Sequence, residues 1–183
     1  MKCVTFSVDA ALRMESLLAG LREYWQASER SEERPALLSV DGVLQKALAN
    51  LNTAIEESGA VVTYSGLPEV MIEEVLLLRL FQNLISNSLK YRGAAAPRIH
   101  VSSEEISGEY LFSVADNGVG IAPEYREKVF QMFKRLHGRD FPGVGMGLAL
   151  CRKAVERKGG RIWVEDTKSG CGAAFKFTLR ERG

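Results

Sequence analysis

Four runs of alternating apolar and polar residues crowd the second half of this chain: RIHVSS, YLFSVAD, RIWVED and AAFKFTLR. Such alternation belongs to strands with one buried face, and the runs come in two pairs, separated by the polar stretches EEISGE and TKSGCG. Each pair is predicted to be a hairpin. A sheet built this way needs cover for its apolar face, and the rest of the chain supplies helices.

The longest helical pattern, EEVLLLRLFQNLISNSLKYR, carries an apolar face through Leu77, Leu80, Phe81, Leu84, Ile85 and Leu89 and is expected to end at Gly93. A second, VLQKALANLNTAIEES, is predicted to be capped by Asp41 and stopped by Gly59; the short strands LLSV and AVVTYS flank it. GLALCRKAVERKGG is a third, closed by its glycine pair, whereas LPEVMI reads as a connection and residues 117–144 as a loop-rich stretch. Upstream, Asp9 can cap an amphipathic helix with Leu12, Leu17, Leu18, Leu21 and Trp25 along one stripe, and ASERSEERP, ending in Pro35, reads as a linker. The expected division is therefore an N-terminal helix and linker over residues 1–34 and, over residues 35–183, an α+β domain with an antiparallel or mixed sheet covered by helices on one face.

With 24 basic and 23 acidic residues the formal charge is +1, which favours neither nucleic acid nor a membrane surface. Phosphate binding, if it occurs, must be local. Cys3, Cys151 and Cys171 have no paired spacing, and two histidines make no zinc framework, so the cysteines read as small packing residues in a reducing cytosol. No signal peptide is visible in MKCVTFSVDA, and the longest apolar stretch, near VLLLRLF, falls far short of the ~20 residues of a membrane span. A soluble, cytoplasmic chain is expected.

Three stretches carry chemistry. In NLISNSLKY, Asn83 and Asn87 are four residues apart, with Lys90 and Tyr91 three and four beyond, so all share one side of the long helix. Amide oxygens suit magnesium, lysine suits phosphate and tyrosine offers a face to a base; a partly solvated polar face is the plainer alternative. In DNGVGI, Asp116 can accept from the exocyclic amine of adenine while Gly118 and Gly120 let backbone approach the ring, although Asp-Asn-Gly is also an ordinary turn. GVGMGLAL leads alternating Gly143, Gly145 and Gly147 into a helix N-terminus, where free N–H groups favour phosphate. It is neither the dinucleotide fingerprint nor a Walker loop.

In this order and spacing, the stretches resemble the ATP-binding catalytic domain of sensor histidine kinases, a two-layer α/β sandwich of the Bergerat type shared with gyrase, Hsp90 and MutL. NLISNSLKY is similar to the family's N box, DNGVGI to its first glycine box, VFQMFKRL to its F box and GVGMGLALCRKAVERKGGRIWVE to its second glycine box. The run from Arg135 to Glu165 is similar in particular to the phytochrome-type branch, and ALRMESLLAGLREYW to the second helix of the dimerisation and phosphoacceptor hairpin.

The resemblance implies ATP and Mg²⁺ as cofactors, with Asn87 as the magnesium ligand and Asn83 its companion. It makes Lys90 a phosphate contact, Tyr91 a wall of the adenine pocket and Asp116 the adenine reader. Gly118 and Gly120 line the base beside Ile121, and Gly143, Gly145 and Gly147, with Met146 and Leu148, edge a lid over residues 137–144 that Phe130 and Phe133 anchor. It also implies transfer of the γ-phosphoryl group to a hairpin histidine, a response regulator as a further partner, and a homodimer.

Departures qualify these implications. An amide at Asn83 stands where gyrase-like relatives carry a glutamate base, which favours transfer over hydrolysis. Ala173 and Val144 replace hydroxyl residues usual in the family, which bears on affinity. Neither His100, in a strand, nor His137, in the lid, matches the phosphoacceptor, and the hairpin's first helix is not in the sequence. The chain is therefore expected to be a fragment of a longer kinase or to phosphorylate in trans, and not to label itself. A hydrolysing ATPase and a nucleotide-binding regulatory module without transfer activity are the rival readings.

Overall fold

A computed structural model of the chain describes Leu18 and residues 34–134, 145–167 and 170–180. Apart from Leu18, helical and exposed, the predicted N-terminal helix lies outside the described residues, as do His137, Gly143 and Val144. Strand β1 (Ala36–Ser39) pairs antiparallel with β3 (Glu69–Ile72), where LPEVMI reads as a connection. This small sheet decides where helix α1 (Val40–Asn50) begins. The Val40 N–H is already bonded to the Pro68 carbonyl at 3.0 Å, so Ser39 takes the capping position, its Oγ accepting from Gly42 N at 3.4 Å. Asp41, the expected cap, sits instead in the first turn and accepts from Gln45 Nε2 at 2.9 Å.

The predicted single helix over residues 43–58 breaks at Leu51, whose N–H is shared between the Ala47 and Leu48 carbonyls, and resumes as α2 (Asn52–Ser58). The break lets Leu48, Leu51 and Ile55 all rest on the core. Gly59 ends α2 as expected. After β2 (Val61–Ser65) and β3 comes the long helix α3 (Glu74–Lys90), and every residue of its predicted apolar face is buried. It ends at Tyr91, before Gly93, because the Tyr91 carbonyl is taken at 3.1 Å by Val119 N–H from a distant loop.

Strands β4 (Arg98–Ile106) and β5 (Glu109–Asp116) form the first predicted hairpin, with EEISGE largely absorbed into the strands. The turn is only Ser107 and Gly108, both at positive φ (54° and 79°), the backbone of a tight two-residue hairpin. The second pair, β6 (Ile162–Asp166) and β7 (Ala173–Arg180), follows helix α4 (Gly147–Arg157). In the five-stranded sheet the order is β2-β4-β5-β7-β6, antiparallel throughout except for β2 against β4. That parallel pair requires a crossover, which α3 supplies.

Inward residues of the sheet, including Ile99, Val101, Phe112, Val114, Phe175 and Phe177, meet the apolar stripes of α1, α3 and α4 in one core. At its centre the Phe112 and Phe177 rings stack at 4.9 Å, and Phe81 of α3 meets Phe177 edge-on at 6.2 Å. The result is the expected two-layer α+β sandwich with a mixed sheet. Phase matters for the site: Phe112, Val114 and Asp116 alternate on the same face of β5, so the last inward position of a core strand is a carboxylate.

Candidate nucleotide-binding site

Helix α3, the end of β5 and the start of α4 enclose a cavity of about 770 Å³. Asn83, Asn87, Lys90 and Tyr91 line it from α3, as their spacing predicts, and Asp116 lines it from β5. Gly120 and Ile121 come from the loop after β5, while Gly145, Met146, Gly147 and Leu148 come from the α4 end. Phe133 is 50% exposed and outside the lining, but its N–H donates to the Gly145 carbonyl at 2.9 Å, tying the chain before the predicted lid to the chain after it. Phe130 is buried edge-on against Phe175 at 6.4 Å, beneath the Arg152 guanidinium.

Asp116 is only 9% exposed, and its carboxylate is held by three protein donors. Oδ1 accepts from the Gly118 N–H at 2.9 Å and the Ala173 N–H at 3.1 Å; Oδ2 accepts from Ser88 Oγ at 2.8 Å. Glycine is required around it. A Cβ at residue 118 would stand 2.5 Å from the Tyr91 carbonyl oxygen, and one at residue 172 would collide with the Asp116 carbonyl, where φ is +89° besides. Sequence reasoning missed Ser88 and Gly172. Ser88 falls in phase with Leu77, Leu84 and the rest of the buried stripe, and a hydroxyl at such a position is itself a signal of a buried acceptor.

Ala173 lacks the hydroxyl usual in the family, yet its backbone serves the same carboxylate to which Ser88 brings a hydroxyl from the opposite layer. On α3, the Asn83 amide oxygen lies against Gly147, where a Cβ would come within 2.8 Å, and the Asn83 side chain also hydrogen-bonds the Cys151 thiol. Burial pushes that thiol up to about 12, so Cys151 packs as an inert residue, as expected; Cys171 is exposed, contrary to expectation, because it sits in the β6–β7 turn. Lys90 Nζ rests 5.1 Å from the Tyr91 ring centre. No side chain among the described residues caps α4, whose first residues, Gly147 and Leu148, line the cavity.

The cavity extends further than expected, past Lys134 and over Glu57 and Ser58 of α2, where Arg92 donates to the Ser58 carbonyl at 3.3 Å. His100 is the strand residue it was read to be, bonded at both ring nitrogens to Thr63 and Ser65 of β2. Among the described residues, no cluster of three or more His, Cys, Asp and Glu residues could hold a metal. The amide oxygens of Asn83 and Asn87 fit a magnesium ion, which keeps waters and takes its remaining ligands from substrate phosphates.

A carboxylate at the inner end of a core strand, flanked by glycines and facing an amide-bearing helix, defines an ATP-binding domain of the two-layer sandwich kind. Residues 72–183 match the family described as "Histidine kinase-, DNA gyrase B-, and HSP90-like ATPase", and the chain belongs to that family. Cyanobacterial phytochrome A of Nostoc sp. is 44% identical over 96% of the chain, which spans 23% of that relative's length. Full-length ShkA, solved in complex with AMPPNP, superimposes with a TM-score of 0.77 at 25% identity, covering 97% of this chain and 38% of that one. The histidine kinase ThkA, solved in complex with the response regulator TrrA, shares the fold at a TM-score of 0.74 and 21% identity, over 98% of this chain and 51% of that one. No helix among the described residues is long and apolar enough to cross a membrane.

Proposed function

We propose that the chain binds Mg-ATP in this cavity and donates the γ-phosphoryl group to a histidine on a dimerisation hairpin. One observation carries the reading: Asn87, Lys90, Tyr91 and Asp116, drawn from stretches far apart in sequence, line one cavity whose far end is the N-terminus of α4. In it Asp116 accepts from the adenine amine, Gly118, Gly120 and Ile121 border the base, and Tyr91 walls the ring. Lys90 and the backbone at Gly145, Met146, Gly147 and Leu148 take the phosphates. Gly143, expected on the same edge, lies outside the described residues, and Phe133 reaches this edge through its bond to Gly145.

Asn87, with Asn83 beside it, would hold the metal, which would supply positive charge to offset that of the transferring group. The protein's own part is to position. Asn83 cannot serve as a general base for water, so the acceptor must bring the nucleophile. A cytoplasmic location, a homodimer and a response regulator as the next acceptor belong to this reading. So does the division into a hairpin remnant over residues 1–34 and a catalytic domain over residues 35–183.

The test incubates the chain with γ-labelled ATP, with and without an added histidine-bearing hairpin. Label on the hairpin that is labile to acid and stable to base supports transfer, which proximity of donor and acceptor makes fast. Rapid phosphate release without label would replace this reading with a hydrolase, and tight binding with neither activity would replace it with a regulatory module.

A further inference from the structure

Ser88 stands in the buried stripe of α3, 3% exposed, with its hydroxyl between two acceptors. Oγ lies 2.8 Å from Asp116 Oδ2 and 3.3 Å from the Leu84 carbonyl oxygen. One proton serves one strong bond at a time, and both the shorter distance and the charge assign it to the carboxylate. The two carboxylate oxygens differ in what remains to them. Oδ1 already accepts two backbone N–H groups, from Gly118 and Ala173, whereas among the described residues Oδ2 accepts only the Ser88 hydroxyl. Each oxygen offers about two lone-pair directions, so the direction left for a ligand is on Oδ2.

We infer that Ser88 is a positioning residue for base recognition: its hydroxyl pins Oδ2 so that the remaining lone pair points at the exocyclic amine of the bound purine. The inference rests on Asp116 reading that amine. The backbone pair on Oδ1 fixes the carbon–oxygen axis, and the hydroxyl on Oδ2 stops rotation about it. Without Ser88 the carboxylate keeps its place at the end of β5 but loses the buried hydroxyl that orients it.

A nucleotide that lacks the amine makes no use of that orientation, which gives a test that packing alone would not move. Affinities for ATP and for purine riboside 5′-triphosphate, which is ATP without its 6-amino group, are measured by calorimetry or competition for the unmutated chain, Ser88→Ala and Ser88→Cys. We expect Ser88→Ala to weaken ATP roughly three- to tenfold, the scale of one perturbed hydrogen bond to a charged group, and to leave purine riboside triphosphate unchanged. Ser88→Cys, a near-isosteric weak donor, should fall between and serves if the alanine variant folds poorly. An equal loss for both nucleotides makes Ser88 a packing residue and overturns the inference, as does no loss for either. If the unmutated chain binds the two nucleotides equally, the adenine reading of Asp116 itself has failed, a result distinct from the Ser88 outcomes.

Discussion

Asn83 and Asn87 are one turn apart on α3, yet they stand in different company. Asn83 is held between Gly147 and the buried Cys151 thiol, so its amide serves the contact between α3 and α4 as much as any ligand. Asn87 lines the cavity near Lys90, and in the proposed reading its oxygen is the metal donor. Replacing Asn87 by Ala should therefore weaken nucleotide binding about tenfold in magnesium, a loss of about 1.4 kcal/mol, and hardly at all in chelator. Asn50→Ala, at the exposed end of α1, should keep the full magnesium dependence. Parallel titrations with and without chelator check this, and an unchanged dependence in Asn87→Ala would move the metal elsewhere.

At the scale of elements, the two helices that carry the site are joined by a charged clamp. Glu73, just before α3, is buried, and both its oxygens face the end of α4: Lys158 Nζ lies 2.6 Å from Oε2 and Arg157 3.2 Å from Oε1. Burial alone would raise this carboxyl, but the hydrogen bond and charge of Lys158, with the charge of Arg157, outweigh it and hold the group below its ordinary value of 4.5. A carboxylate held low stabilises the fold fully above that ordinary value and loses its contribution as pH falls through the lowered one. Glu73→Ala should destabilise by about 3 kcal/mol near neutrality, since it leaves two partly buried cations facing each other. Unfolding measured across pH should show the gap between the unmutated chain and Glu73→Gln constant above about pH 4.5 and shrinking below it. A gap independent of pH down to acid unfolding would mean that Glu73 acts by packing alone.

Over the whole molecule, sheet and helices meet at Phe177, stacked on Phe112 and met edge-on by Phe81. It is fully buried in the strand next to the central one, and its removal would open a cavity between the layers. Phe177→Ala should cost about 3 to 5 kcal/mol, read as a lower denaturation midpoint with an unchanged slope. Tyr125→Ala, on the exposed surface, should stay within roughly 0.5 kcal/mol. Because Asp116 is the next inward residue after Val114, loosening this core should also weaken nucleotide binding.

Periodicity alone was enough for the strands of both hairpins, the apolar face of α3 and the stop at Gly59, because these depend on neighbours along the chain. Residue chemistry together with the family resemblance singled out Asn83, Asn87, Lys90, Tyr91 and Asp116, which the structure brings to one cavity. Contacts between distant segments decided the rest. Strand β3 escaped because Met71, an outward residue, is apolar and blurs the alternation, and only its pairing with β1 shows it. Ser39 rather than Asp41 caps α1 because the Pro68 carbonyl holds the Val40 N–H, and α3 stops at Tyr91 because Val119 takes its carbonyl. Ser88 and Gly172 gain their roles only where α3 and the β6–β7 turn close on Asp116, a proximity that no local pattern encodes.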